Sequence, residues 1–295
     1  MSGPAVPATL AEPAFLDLPD GRRMRYRLDA PCAGGTAADV VLMLHGIGCS
    51  LEDFDDQHAL LRQRYRCLSV DLAGFGRSDR PAEPMSLVAL ARSALDVLDA
   101  LGLTAPVHVV GNSLGGAVAM QLAAQAPERV RDLVLLDPAG FGRTVTWALR
   151  VLAVRPLGRR LLVPSLEATR RAQRGIFADP ALVTEERVRR AHELSLRPHG
   201  TEVMVETADA LGTFWGVRPG WRRRLVRALA RTDLPVLVVW GERDRILPAT
   251  HVRAVRRSLP RAQVHVLAGT GHMPQVERPE RVAELAQRFW EGCAP

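Results

Sequence analysis

Apolar residues fall along this chain in short runs separated by longer amphipathic stretches. The runs Phe15–Leu18, Met24–Leu28, Val40–Leu44, Cys67–Val70, Val107–Val110 and Leu133–Leu136 have the length of strands. Helical patterns lie near Asp53–Arg64, Ser86–Leu101 and Leu114–Ala126. In the last, Leu114, Val118, Leu122 and Ala126 repeat every four residues and Pro127 stops the helix. The first two runs predict a hairpin turning at Pro19-Asp20-Gly21. The strand–helix alternation that follows predicts a parallel sheet covered on both faces.

Between Arg143 and Arg231 the alternation stops. This stretch has no good strand and reads as arginine-rich helices punctuated by prolines at 156, 164, 180, 198 and 219. The pattern then resumes with strand Val236–Trp240, a helix near Thr250–Ser258, strand Val264–Leu267 and helix Pro279–Trp290. The expected organisation is an α/β core from residues 1–142 and 232–295, carrying a helical cap at 143–231. A chain of 295 residues is long enough to bury such a core without disulfides.

Composition changes this picture little. No apolar run is long enough to span a bilayer, and the first residues do not resemble a secretory signal, so a cytoplasmic protein with no membrane partner is expected. Cys32, Cys49, Cys67 and Cys293 lack metal-ligand spacing and are expected as free thiols. The net charge of +7 comes from a chain with no lysine, where arginine codon bias explains the excess better than nucleic-acid binding does. The excess is local: residues 143–231 hold 18 Arg against 8 acidic residues. That balance suits a small-molecule substrate bearing a carboxylate, held bidentately by an arginine. The bland reading is a solvated helical surface. Trp147, Phe177, Phe214, Trp215 and Trp221 could line an apolar pocket or simply pack the cap onto the core.

The chemistry centres on His108-Val-Val-Gly111-Asn112-Ser113-Leu114-Gly115-Gly116. A buried strand runs into G-x-S-x-G and the best helix of the chain starts at once. A nucleophile on so tight a turn needs small neighbours two residues away on either side, and Gly111 and Gly115 supply them. The hydroxyl needs a base, and His272 is the candidate: it follows the last strand, between Gly271 and Pro274. Asp244, after strand Val236–Trp240, is the expected orienting acid, with Asp137 at the end of Leu133–Leu136 as its rival. The backbone N–H groups of Leu114 and Ile47 are the expected oxyanion donors, and His45 is expected to shape the Ile47 loop. His58, His192, His199, His251 and His265 are expected at the surface or on helices. No metal or cofactor is called for.

These residues closely resemble the α/β-hydrolase superfamily. The resemblance covers His45-Gly46, Asp71–Asp79, the elbow at Ser113, Pro127–Asp137, Gly241–Pro248 and Gly271-His272-x-Pro274-x-x-Glu277. It implies an eight-stranded, mostly parallel sheet with helices on both faces and an inserted helical lid. Asp71, Ser78 and Asp79 would fix the loop after their strand. Serine at the elbow separates this chain from family members that use aspartate, such as epoxide hydrolases. An ester or lactone hydrolase is expected. The alternatives are a carbon–carbon bond hydrolase of the meta-cleavage type and a ligand-binding member without catalysis. Asn112 resembles the carbon–carbon hydrolases, whereas Met273 stands where those usually carry tryptophan.

Overall fold

The computed structural model describes residues 9–30 and 39–292. The first strands, β1 (Ala14–Asp17) and β2 (Arg23–Asp29), form the expected hairpin, and Gly21 takes the positive φ of 83° at its turn. Next come β3 (Val40–Leu44), α1 (Asp55–Leu61), β4 (Arg66–Val70), α2 (Leu87–Ala100), β5 (Val107–Asn112), α3 (Leu114–Gln125) and β6 (Val130–Leu136). The sheet is completed much later by β9 (Val236–Gly241) and β10 (Gln263–Leu267), which follow the insertion. Its eight strands run in the order β1-β2-β4-β3-β5-β6-β9-β10. Only β1–β2 and β2–β4 pair antiparallel; every other neighbour is parallel.

A parallel strand buried on both faces should send alternate residues to two separate cores. The strands do this. Leu42, Leu44, Leu133, Leu135, Val238 and Trp240 pack into one apolar cluster. Val41, Met43, Val134, Leu136, Leu237 and Val239 pack into the other. The larger cluster is covered by α2 and α3, the smaller by α1 and the C-terminal helix (residues 279–292). α2 starts where Ser86 Oγ accepts the Ala89 N–H, a side-chain cap for one free amide of the first turn.

Between β6 and β9 lie six helices: α4 (Trp147–Leu152), α5 (Arg155–Leu161), α6 (Leu166–Ile176), α7 (Glu185–Ser195), α8 (Gly200–Leu211) and α9 (Pro219–Leu229). One element there has no counterpart in the sequence pattern. β7 (Gly212–Thr213) and β8 (Gly216–Val217) pair as a two-residue antiparallel hairpin. Strands that short carry too few residues to show a period of two. The chain ends with α10 (Val252–Ser258), α11 (Pro274–Glu277) and α12 (Pro279–Gly292).

Two expectations about single side chains change, and one holds for the residues described. His58 and His251 are expected at the surface or on helices; His58 does lie on α1 and His251 in the turn before α10, but both are buried. Trp147, Phe214 and Trp215 are all exposed and are absent from the lining of the cavity beside Ser113. Cys49 and Cys67 are free, while Cys32 and Cys293 lie outside the described residues. Among the described residues no helix is long and apolar enough to cross a membrane.

Candidate active site

Because β3, β5, β6, β9 and β10 are parallel, their C-terminal ends share one edge of the sheet. The Ile47 loop, Ser113, Asp137, Asp244 and His272 each follow one of those ends. Ser113 sits between β5 and α3 at φ 56° and ψ −112°, a conformation costing a non-glycine residue about 1–3 kcal/mol. The surroundings hold it there. Ser113 N–H donates to the Leu136 carbonyl at 2.9 Å, and its own carbonyl accepts from Ala139 and Ala117 at 3.0 and 3.2 Å.

The flanking glycines are needed for close approach. A Cβ on Gly115 would lie 2.0 Å from the Leu44 carbonyl oxygen, and one on Gly111 would lie 2.4 Å from the Gly115 oxygen. Helix α3 can rise against β3 and β5 only if both positions lack a side chain. Gly115→Ala is therefore expected to cost about 3 kcal/mol or more, since backbone must move to admit the methyl. A chemical-denaturation midpoint close to that of the wild type would contradict this.

Ile47 and Leu114 line the same cavity as Ser113. Neither amide donates to a protein acceptor among the described residues. For Leu114 this follows from its place in the first turn of α3, where the amides have no partner within the helix. The Ile47 loop is held by two buried polar side chains. Leu72 N–H donates to His45 Nε2 at 2.9 Å, which leaves the ring proton on Nδ1 to donate to the Gly46 carbonyl at 2.7 Å. Asp71 accepts the backbone N–H groups of Leu51 and Arg77, both at 2.7 Å.

His272 Nδ1 donates to Asp244 Oδ2 at 2.7 Å, and both residues are buried. The other oxygen of Asp244 accepts from Ile246 and Leu247 N–H at 2.7 and 2.9 Å. Burial alone would raise the Asp244 carboxyl. The charge His272 carries when protonated, the hydrogen bonds from His272 and Asp137, and the Leu247 amide outweigh burial and hold it below its ordinary value. Ser113 and the His272 loop are joined through Asn112, whose Nδ2 donates to the His272 carbonyl at 3.0 Å and to Leu136 O at 3.1 Å. No direct Ser113–His272 hydrogen bond forms among the described residues. Such contacts are often long in free enzymes and tighten when substrate arrives.

Asp137 lies against this pair. It is completely buried at φ 45°, and its Oδ1 accepts the Gly241 N–H at 2.9 Å. Burial first, and the neighbouring Asp244 charge second, push its carboxyl well above the ordinary range. A neutral, protonated Asp137 explains how two buried carboxyls sit together, with Asp244 as acceptor for its proton. Asp137, Asp244 and His272 each bring one ligand atom within 4.8 Å of the others, a spacing a divalent ion can use. Nδ1 of His272 is already engaged by Asp244 at 2.7 Å.

Residues outside the core complete the His272 loop. His272 N–H donates to the Ile176 carbonyl at the end of α6, at 2.9 Å. Glu277 accepts from Ala178 N–H at 3.0 Å. Neither contact was foreseen. Glu277 stood in the G-H-x-P-x-x-E motif without a role, and Ile176 lay in a stretch with no motif.

The cavity beside Ser113 is about 70 Å³, partly open to solvent, and almost wholly apolar. Ser113, Leu114 and Ile47 form one side; Val145, Leu149, Ala208, Leu211 and Trp221 form much of the rest. None of its lining residues is charged. The arginine expected to hold a carboxylate is therefore not in this cavity.

A second Ser–His–Asp array shows what the site needs besides composition. His58 Nδ1 lies 2.6 Å from Asp29 Oδ2 and its Nε2 lies 3.0 Å from Ser69 Oγ. Ser69 is fully buried in β4, so no substrate reaches it.

Comparison with known proteins shows the family to which the chain belongs. A family model described as alpha/beta hydrolase fold matches residues 39–279. The dihydrolipoyllysine-residue acetyltransferase component of the acetoin cleaving system of Cupriavidus necator is 35% identical, over 94% of this chain and 69% of that protein. A 2-hydroxy-6-oxononadienedioate/2-hydroxy-6-oxononatrienedioate hydrolase of Comamonas testosteroni is 30% identical, over 93% of this chain and 95% of its own. Among solved structures, a bacterial membrane phospholipase A described as a virulence factor superposes with a TM-score of 0.76 at 26% identity, covering 96% and 86% of the two chains.

Proposed function

Since the chain belongs to the alpha/beta hydrolase fold family, we propose that it is a serine hydrolase acting on an ester or lactone of a small, largely apolar molecule. The observation that carries this reading is the cavity in which Ser113 and the free amides of Ile47 and Leu114 meet among apolar walls. Ser113 Oγ attacks the substrate carbonyl carbon as His272 Nε2 takes its proton. The carbonyl electron pair moves onto oxygen, where the Ile47 and Leu114 N–H groups stabilise it. Asp244 steadies the imidazolium. The oxyanion collapses, the bond to the leaving alcohol breaks, and His272 returns its proton to that alcohol. Water then attacks the acyl-enzyme along the same path. Residues 143–231 act as a lid, since Val145, Leu149, Thr207 and Leu211 face Ser113 across the cavity.

Carbon–carbon bond hydrolysis is the second reading. The Comamonas relative favours it. So does a second cleft beyond Gly48, lined by Cys49, Arg190 and Met273. That cleft also holds Asp53, paired with Arg187 at 2.8 Å, whereas Arg190 has no carboxylate ion-pair partner among the described residues and would face an acidic substrate there.

Initial rates on p-nitrophenyl esters of graded acyl length, against a 2-hydroxy-6-oxo-dienoate, separate the two. Faster turnover of the dienoate than of every ester would overturn the ester reading. A fluorophosphonate probe is expected to leave one adduct, on Ser113, by mass spectrometry. Folded protein that resists labelling would favour a ligand-binding role.

A further inference from the structure

Tryptophan is among the more buried residue types, yet Trp147 and Trp215 are 72% and 68% exposed, and Phe214 is 46% exposed. They belong to one rim. Phe214 and Trp215 form the tip of the β7–β8 hairpin and stack edge to face at 5.5 Å. The Arg150 guanidinium lies 5.4 Å from the Phe214 ring and its Nε donates to the Phe214 carbonyl. Trp147 is one turn before Arg150 on α4 and shares that side of the helix. Arg143 Nε donates to the Trp215 carbonyl at 2.9 Å.

The charge around this rim is one-sided. Residues 138–166 and 210–232 contain eleven arginines and no acidic residue. Asp209 neutralises Arg155 and Arg218, and Glu202 pairs with Arg159. Arg143 and Arg150 have no carboxylate partner among the described residues and spend their hydrogen bonds on the hairpin. Exposed indoles ringed by uncompensated guanidiniums match the boundary of an anionic bilayer, where apolar burial and charge attraction add. The same two segments line the Ser113 cavity through Val145, Leu149, Thr213 and Val217.

We propose that the rim formed by α4 and the β7–β8 tip docks this protein onto an anionic phospholipid surface. This departs from the expectation of no membrane partner. It is independent of the acyl chemistry proposed above, so Ser113→Ala is expected to dock as the wild type does.

The test is flotation with vesicles of phosphatidylcholine alone or mixed with phosphatidylglycerol. The wild type is expected to float with the mixed vesicles only, with a blue shift of its tryptophan emission. Binding should disappear at about 1 M salt, where screening acts over about 3 Å. Trp147→Ser with Trp215→Ser changes only solvent-facing side chains and should weaken binding at least about 10-fold. Arg143→Gln with Arg150→Gln should weaken it roughly 30-fold, as expected for two charges at the surface. The proposal is overturned if the mixed vesicles do not capture the wild type, or if the tryptophan variant binds them in full. Self-association in lipid-free buffer that the tryptophan variant abolishes would instead assign the patch to a second copy of the chain.

Discussion

Ser113→Ala is expected to lower kcat on the best ester by about 10⁶-fold while leaving the fold in place. The change removes one oxygen from a side chain facing the cavity, so packing is almost untouched. Alanine meets the same backbone strain at φ 56° as serine does, and the hydrogen bonds that hold residue 113 come from its backbone. The thermal midpoint should therefore stay near that of the wild type while activity collapses. His272→Ala should cost nearly as much, and the double variant little more, because nucleophile and base act as a unit. Assays with matched melting curves check both. Turnover within about 10-fold of the wild type by well-folded Ser113→Ala would remove Ser113 from the mechanism.

Asp244→Asn is the second large effect, a fall in kcat of about 10⁴-fold. The carboxylate accepts from His272 Nδ1 and so keeps Nε2 free to take the serine proton. An asparagine can instead turn its NH₂ toward Nδ1, leaving the proton on Nε2 and the base disabled. The contrasting variant is Asp137→Asn. Asp137 is read as already neutral, and an amide reproduces both of its contacts: oxygen toward the Gly241 N–H, N–H toward Asp244. Its activity should stay within about 10-fold of the wild type. Opposite results would exchange the two roles.

The pair also predicts a sign for stability. The Asp137 carboxyl is raised above its unfolded value of 3.8, so its contribution is full below that pH and is lost as pH rises toward the folded value. At neutral pH the wild type carries that loss and Asp137→Asn does not. Urea midpoints should thus favour the variant at neutral pH, with the difference narrowing in acid. A variant less stable at neutral pH than in acid, relative to the wild type, would contradict a neutral Asp137.

Much of this was legible along the chain. The strand runs, the hairpin at Gly21 and the break after β6 are local patterns, set by periodicity and turn residues. The elbow was equally local, since Gly111, Ser113 and Gly115 act within one strand–turn–helix unit. Other features were not. The β7–β8 hairpin is too short to carry a period, and the burial of His58 depends on how α1 meets β2 and β4. The three exposed aromatics read as pocket or packing residues because sequence shows neither which side of α4 faces water nor that Phe214 and Trp215 fall at a hairpin tip.

By itself, then, the sequence determined the order of strands and helices, the tight turn that presents Ser113 and the candidates for base and acid. Those depend on neighbours a few residues apart. Only the tertiary structure decided that His272 pairs with Asp244 while Asp137 stands behind it, and that Asn112 and Ile176 brace the His272 loop. It also decided that Arg143 and Arg150 meet the aromatic rim and that no arginine lines the Ser113 cavity. Each of these joins elements far apart in the chain, where register and packing decide which side chains meet. The Ser113 turn is a local fact of sequence; the company it keeps is a fact of the fold.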